Sequence, residues 1–228
     1  MSHKEEHFSG SEFLQDVAIG MADGLTVPFA LAAGLSGAVS STKIIITAGV
    51  AEIIAGSIAM GLGGYIAGKT AYDHYFAEKK REYEEVENVP QKEKEEVMEI
   101  LGKYGLSQQS QQLMVSELEK DKNKWVEFMM KFELGLEEPQ LNAAKKSAIT
   151  IAGAYVVGGF IPLFPYFFSK DSISGLYESI AITLIALFVF GFFKSKVIGQ
   201  PAWAGAFKTM FIGALAAGAA FLIAKWIS

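Results

Sequence analysis

Five apolar stretches of about 20 residues dominate this chain, at about 16–39, 44–68, 147–168, 175–193 and 202–226. Each is long enough, as a helix, to cross a hydrocarbon core of roughly 30 Å. Lipid offers the backbone no hydrogen-bond partners, so such stretches have to fold as helices or a closed barrel, and their length and lack of alternation select helices. Between the second and third stretch lies a charged block unsuited to hydrocarbon. The expected fold is therefore all-α: a polytopic membrane protein with five transmembrane helices and a cytosolic helical domain inserted between helices 2 and 3. Its parts are residues 1–68 (N-terminal tail and helices 1 and 2), 69–146 (the inserted domain) and 147–228 (helices 3 to 5).

Orientation follows from lysine and arginine. With the N-terminus, the 69–146 block and the 194–201 loop on the cytosolic side, that side holds Lys4, thirteen basic residues of the block, Lys194, Lys196 and Lys208. The other side keeps Lys43, Lys170 and Lys225, and five crossings put the C-terminus there too. The opening "MSHKEEHFSGSEF" has no basic segment leading into an apolar core and a small-residue cleavage site, so no cleaved signal peptide is expected. With no cysteine in the chain, disulfides, thiolate metal sites and thiol catalysis are excluded.

No Gly or Pro interrupts 69–89 after the second apolar stretch, which predicts one helix from about 44 to 88 ending at Pro90. Tyr72, Tyr75, Phe76, Tyr83 and Val86 recur along it at helical spacing. Three shorter helices are expected next: about 91–104, stopping at Gly105; one starting after Ser107 and ending near Asp121; one starting after Asn123 and ending at Gly135. Val97, Ile100, Leu101, Leu113, Leu118, Trp125, Phe128 and Phe132 are its candidate core.

Asp23 stands inside the first apolar stretch, where a carboxylate costs roughly 2.5–3.5 kcal/mol. Asp16, seven residues earlier, shares its face, and Gly20 and Gly24 form a G-x-x-x-G beside it. Glu52 lies in the second stretch, with Met60 about two turns on. A thioether near carboxylates shifts a site from Ca²⁺ or Mg²⁺ towards transition metals. Pro28 frees a carbonyl near Gly24, as in membrane helices broken beside a cavity. Together these residues read as a cation path with exchangeable protons; the plainer reading is a neutral acid hydrogen-bonding across helices.

A second constellation lies in the charged block: Glu82 and Glu85, Glu93 and Glu96, then Met129 and Glu133. Their one-turn spacing would let carboxylates from three helices converge on divalent cations, although interleaved Glu and Lys more often mark a solvated face. Enzyme signatures are missing. There is no Glu-x-x-His pair for a di-iron bundle, and His74 is the only histidine beyond the tail. "GGYIAGKT" at 63–70 imitates a phosphate loop but ends an apolar helix. No dinucleotide fingerprint and no nucleic-acid stripe occurs.

The stretches "DVAIGMADGLTVPFALAAGLSG" and "AEIIAGSIAMGLGGYIAGKT", followed by the Glu-rich helices, resemble the vacuolar iron transporter family, closest to its plant members. The resemblance covers essentially the whole chain. It implies a homodimer in the vacuolar membrane, a path at the two-fold axis, and Fe²⁺ moved from cytosol to vacuole in exchange for protons, with no organic cofactor. On matching positions it implies Asp23, Glu52 and Met60 as pathway residues and Glu82, Glu85, Glu93, Glu96, Met129 and Glu133 as metal ligands. Mn²⁺, Co²⁺, Ni²⁺ and Zn²⁺ are further candidate ions. The competing functions are Mn²⁺ or broader divalent-cation transport, and a membrane-anchored metal buffer or sensor indifferent to Asp23.

Overall fold

A computed structural model describes residues 11–140 and 142–227; the expectations about Lys4 and the N-terminal tail fall outside them. Eight α-helices carry the described chain: α1 (Ser11–Ala38), α2 (Thr42–Asn88), α3 (Pro90–Lys103), α4 (Gln108–Leu118), α5 (Lys122–Phe132), α6 (Ala143–Leu163), α7 (Ser172–Val197) and α8 (Ala202–Ile227). A 3₁₀ turn, Phe164–Phe167, follows α6. No strand occurs among the described residues. α1, α2, α6 with its 3₁₀ turn, α7 and α8 are each long and apolar enough to cross a membrane. α2 has 47 residues, roughly 70 Å at 1.5 Å per residue.

The described residues form two compact units, one made of those up to Ile66 together with those from Ala144 onward, the other of those between Ala67 and Ala143. In the first, α1 packs against α7 and α8, and α7 against α8. Phe29, Ala33, Leu176 and Ala217 form one buried cluster, and Ala32, Ile45, Ile53, Leu163 and Tyr166 another. Large apolar side chains also cover the outside: Ile149, Ile185 and Leu222 are all about two-thirds exposed or more, the surface a lipid environment requires.

Glycine sets the contact between α1 and α6. A Cβ at Gly20 would collide with the Ile151 carbonyl oxygen, and one at Gly24 with that of Tyr155. Reciprocally, a Cβ at Gly158 would lie 3.0 Å from the Leu25 nitrogen. Backbone is therefore opposed to backbone, as expected of the G-x-x-x-G. Gly24→Leu is accordingly expected to lower the detergent-solubilised protein's stability by about 1–3 kcal/mol, read as a depressed unfolding temperature; unchanged unfolding would contradict this packing. Pro28 does not break the helix. α1 runs through it without interruption, and the buried proline packs near Gly159, where the neighbouring helix supports it.

In the second unit, Tyr75, Val86, Val97, Val115, Val126, Met129 and their neighbours form one core. The helix ends follow capping chemistry. Ser107 accepts from the Ser110 N–H at 3.3 Å, and Gly105 and Gly135 take φ of +82° and +64° after their helices, conformations that glycine adopts without a Cβ clash. Three expectations need correction. The third short helix starts at Lys122, not after Asn123, because Asp121 is its N-cap, accepting from the Asn123 N–H at 3.0 Å. Hence the preceding helix ends at Leu118, short of Asp121. Leu113 and Phe132 are 62% and 45% exposed rather than core; Val115, Val126 and Met130 occupy the interior instead.

Candidate functional site

In the second unit the carboxylates converge. One oxygen from each of Glu82, Glu85 and Glu93 lies within 4.8 Å of the others, and so do oxygens of Glu93, Glu96 and Glu133. Glu93 belongs to both triads. α2 supplies Glu82 and Glu85 one turn apart, and α3 supplies Glu93 and Glu96 in the same spacing just past the Pro90 turn. Glu133 is the C-cap of α5, its N–H donating to the Met129 carbonyl at 3.0 Å. Met129, one turn earlier, is fully buried.

The cluster is buried to a degree unusual for acids. Glu82 is 1% exposed and Glu93 0%. Glu82 Oε2 and both oxygens of Glu93 are sealed from solvent without a hydrogen-bond partner. Burial first, then the neighbouring carboxylates, push both acids up to about 7, and Glu133 is raised for the same reasons. Nearby cations compensate little: Arg81 stands 4.0 Å from Glu82 and 3.8 Å from Glu85, and Lys92 holds Glu96 at 2.9 Å. Orphaned buried carboxylate oxygens from two helices call for a proton or a cation. Their hardness suits a divalent metal ion with oxygen preference.

The raised acids have a consequence for stability. Unfolded, these carboxyls titrate near 4.5; folded, near 7. Between those values the native state holds more protons than the unfolded chain, so metal-free stability falls as pH rises through this window, by up to about 3 kcal/mol per carboxyl. Hydrogen exchange over residues 67–143 of the whole chain, corrected for intrinsic rates, should show protection declining from pH 5 to 7.5 and returning with Mn²⁺. Protection that rises with pH would contradict the buried-acid geometry.

In the first unit, Asp23 is half-buried on α1 and makes no hydrogen bond or ion pair among the described residues. Asp16 accepts from Ser147 Oγ at 2.9 Å. Glu52, half-buried on α2, accepts from the Tyr155 hydroxyl through Oε1, while its Oε2 is buried without a partner. That hydroxyl nests against Gly56, where a Cβ would collide with it, and it lies within electrostatic reach of Asp23. Met60 is half-buried two turns along α2 from Glu52. The seam between α1, α2 and α6 thus gathers Asp16, Asp23, Glu52, Ser147 and Tyr155. Sequence reasoning missed Ser147 and Tyr155. Their signal was no more than a hydroxyl in a largely apolar stretch, which Thr150 and Tyr166 also offer, so it is legible only once α6 is known to face the acids.

A family model described as the VIT family matches residues 14–225. Over 223 residues the chain is 52% identical to vacuolar iron transporter 1 of Arabidopsis thaliana, covering 98% of this chain and 89% of that protein. The same identity over 223 residues relates it to vacuolar iron transporter 1 of Tulipa gesneriana, with 98% and 90% covered. Vacuolar iron transporter of Centaurea cyanus is 50% identical over 224 residues, with 98% and 91% covered. With a match that reaches from the first apolar helix into the last, the chain belongs to the VIT family.

Proposed function

We propose that this chain moves Fe²⁺ across the vacuolar membrane, from the cytosol into the vacuole, in exchange for protons. The observation that carries the reading is a pair of membrane acids: Asp23, half-buried with no hydrogen bond or ion pair among the described residues, and Glu52, with one buried oxygen unpaired. Ionisable groups at membrane depth mark ion and proton pathways. The names of the relatives, vacuolar iron transporters, support iron as cargo and the vacuole as destination.

Two stages account for the two constellations. The Glu82, Glu85, Glu93, Glu96 and Glu133 carboxylates, with Met129, collect the metal from a dilute cytosolic pool. Met60, which lies between that cluster and Glu52 along α2, and then Glu52 and Asp23 replace part of its water shell. In a homodimer with the path on its two-fold axis, each acid is supplied twice. Metal binds only deprotonated carboxylates, so protons arriving from an acidic lumen weaken the hold and release the ion. Tyr155 orients Glu52 by donating to one oxygen and leaving the other for the ion.

Proteoliposomes with an acidic interior provide the test. Fe²⁺ uptake should require the gradient and stop on adding a protonophore; undiminished uptake without a gradient would overturn proton exchange. Competition by Mn²⁺ in the same vesicles measures the preference between the two ions, which ligand type alone separates poorly.

A further inference from the structure

A second polar site lies at the turn joining α7 to α8, remote in sequence from every acid discussed so far. A cavity of about 330 Å³ opens there, lined by Lys194, Ser195, Gln200, Gly205, Lys208 and Thr209 among others. Residues 179–228 contain four lysines and neither Asp nor Glu. Lys194 and Lys208 accordingly form no ion pair among the described residues; Lys194 meets only the Phe190 ring, 5.9 Å from its centroid. Ser195 is 5% exposed, and its hydroxyl makes no hydrogen bond among the described residues. It points at the first turn of α8, since a Cβ on Gly205 would run into its Oγ. That turn begins at Ala202, and its leading N–H groups have no acceptor within the helix. Two lysines without an ion pair among the described residues, a buried serine and the first turn of α8 therefore line one cavity. With two cations and no acid in its lining, this environment suits an oxyanion.

Its depth identifies the source of that oxyanion. Trp203, 65% exposed, packs on Phe192 with centroids 5.2 Å apart, beside Phe188 and Phe207. Exposed tryptophan at a helix end sits at headgroup level, and basic pockets between membrane helices bind anionic headgroups. Ile198 and Ile212 in the cavity wall provide apolar contact for the start of an acyl chain.

We propose that the α7–α8 cavity binds the phosphate group of an anionic membrane phospholipid. Lys194 and Lys208 supply the charge, and Ser195 with the first turn of α8 supplies hydrogen-bond donors. Thermal unfolding of the whole purified chain in dodecyl maltoside tests this, with dioctanoyl phosphatidic acid, dioctanoyl phosphatidylcholine or inorganic phosphate added. Phosphatidic acid should raise the unfolding temperature by about 3 °C or more, with no comparable rise from the other two. Lys194→Gln with Lys208→Gln should abolish the rise. Arginine at both positions should keep it, as should Lys225→Gln near the C-terminus of α8. Ser195→Ala, a milder change, should reduce it. A double glutamine variant that responds like the parent would overturn the site, as would an equal response to phosphatidylcholine. Inorganic phosphate matching the lipid would overturn the lipid assignment in favour of a soluble anion.

Discussion

Asp23→Asn is expected to reduce proton-driven Fe²⁺ uptake to background, at least the roughly 10–100-fold that even outer-shell changes cost a metal site. The amide keeps the size and polarity of the side chain. It removes both properties the exchange needs, a negative charge for the cation and a site for the counter-moving proton. Folding should survive, because Asp23 is half-buried and makes no hydrogen bond or ion pair among the described residues; a neutral amide is also cheaper to place in a membrane helix than a carboxylate. Asp16→Asn is the instructive comparison. Its carboxylate is already engaged by Ser147, so uptake should fall far less. Reconstituted uptake with intact, monodisperse protein decides between these outcomes, and full uptake by Asp23→Asn would remove this acid from the pathway.

Glu93→Ala is expected to have the largest effect on metal binding by the carboxylate cluster. Glu93 alone contributes to both carboxylate triads, so its loss damages two ion positions at once. Glu85→Ala and Glu133→Ala remove one member from one triad each. Titration of the whole chain with Mn²⁺ should therefore show Glu93→Ala losing binding throughout, by about tenfold or more in affinity. The other two substitutions should each lose part of the stoichiometry. The quadruple change of Glu82, Glu85, Glu93 and Glu96 to Ala should abolish binding while the membrane helices remain folded. Metal-free Glu93→Ala should also be more stable than the parent at pH 7.5, because a buried acid without a hydrogen-bond partner has been removed. Equal binding by Glu93→Ala and the parent would show that the convergence of carboxylates is not a metal site.

Much of this architecture was legible because membrane helices obey few rules. Five long apolar stretches, the absence of breakers between 69 and 89, and the glycines at 105 and 135 each have a single physical meaning. The errors lie where two signals overlap. Both Asp121 and Asn123 are good N-cap residues, and only the backbone geometry shows that Asp121 takes the role. Leu113 and Phe132 fit an apolar period, yet small helices bury one narrow face and leave their flanks in water. The glutamates illustrate the limit most clearly. On paper Glu82 and Glu93 resemble their neighbours Glu84 and Glu95, which are exposed. What distinguishes them is the turn at Pro90, which brings α2 and α3 together and seals two of these acids. Tyr155 escaped for a related reason: a hydroxyl in an apolar helix signals nothing until the acid it serves, here Glu52, is seen across the interface.

Water access to the acid in α1 is the most direct measurement of all. The chain has no cysteine, so Asp23→Cys creates a single thiol that a charged, membrane-impermeant thiosulfonate can report on without background. Ile54→Cys, on the exposed apolar side of α2, provides the lipid-facing reference. Modification at position 23 in intact proteoliposomes, fast relative to position 54, is the expected result. A thiol at 23 as unreactive as the one at 54 would mean that the position meets lipid or dry packing, and no ion could reach it.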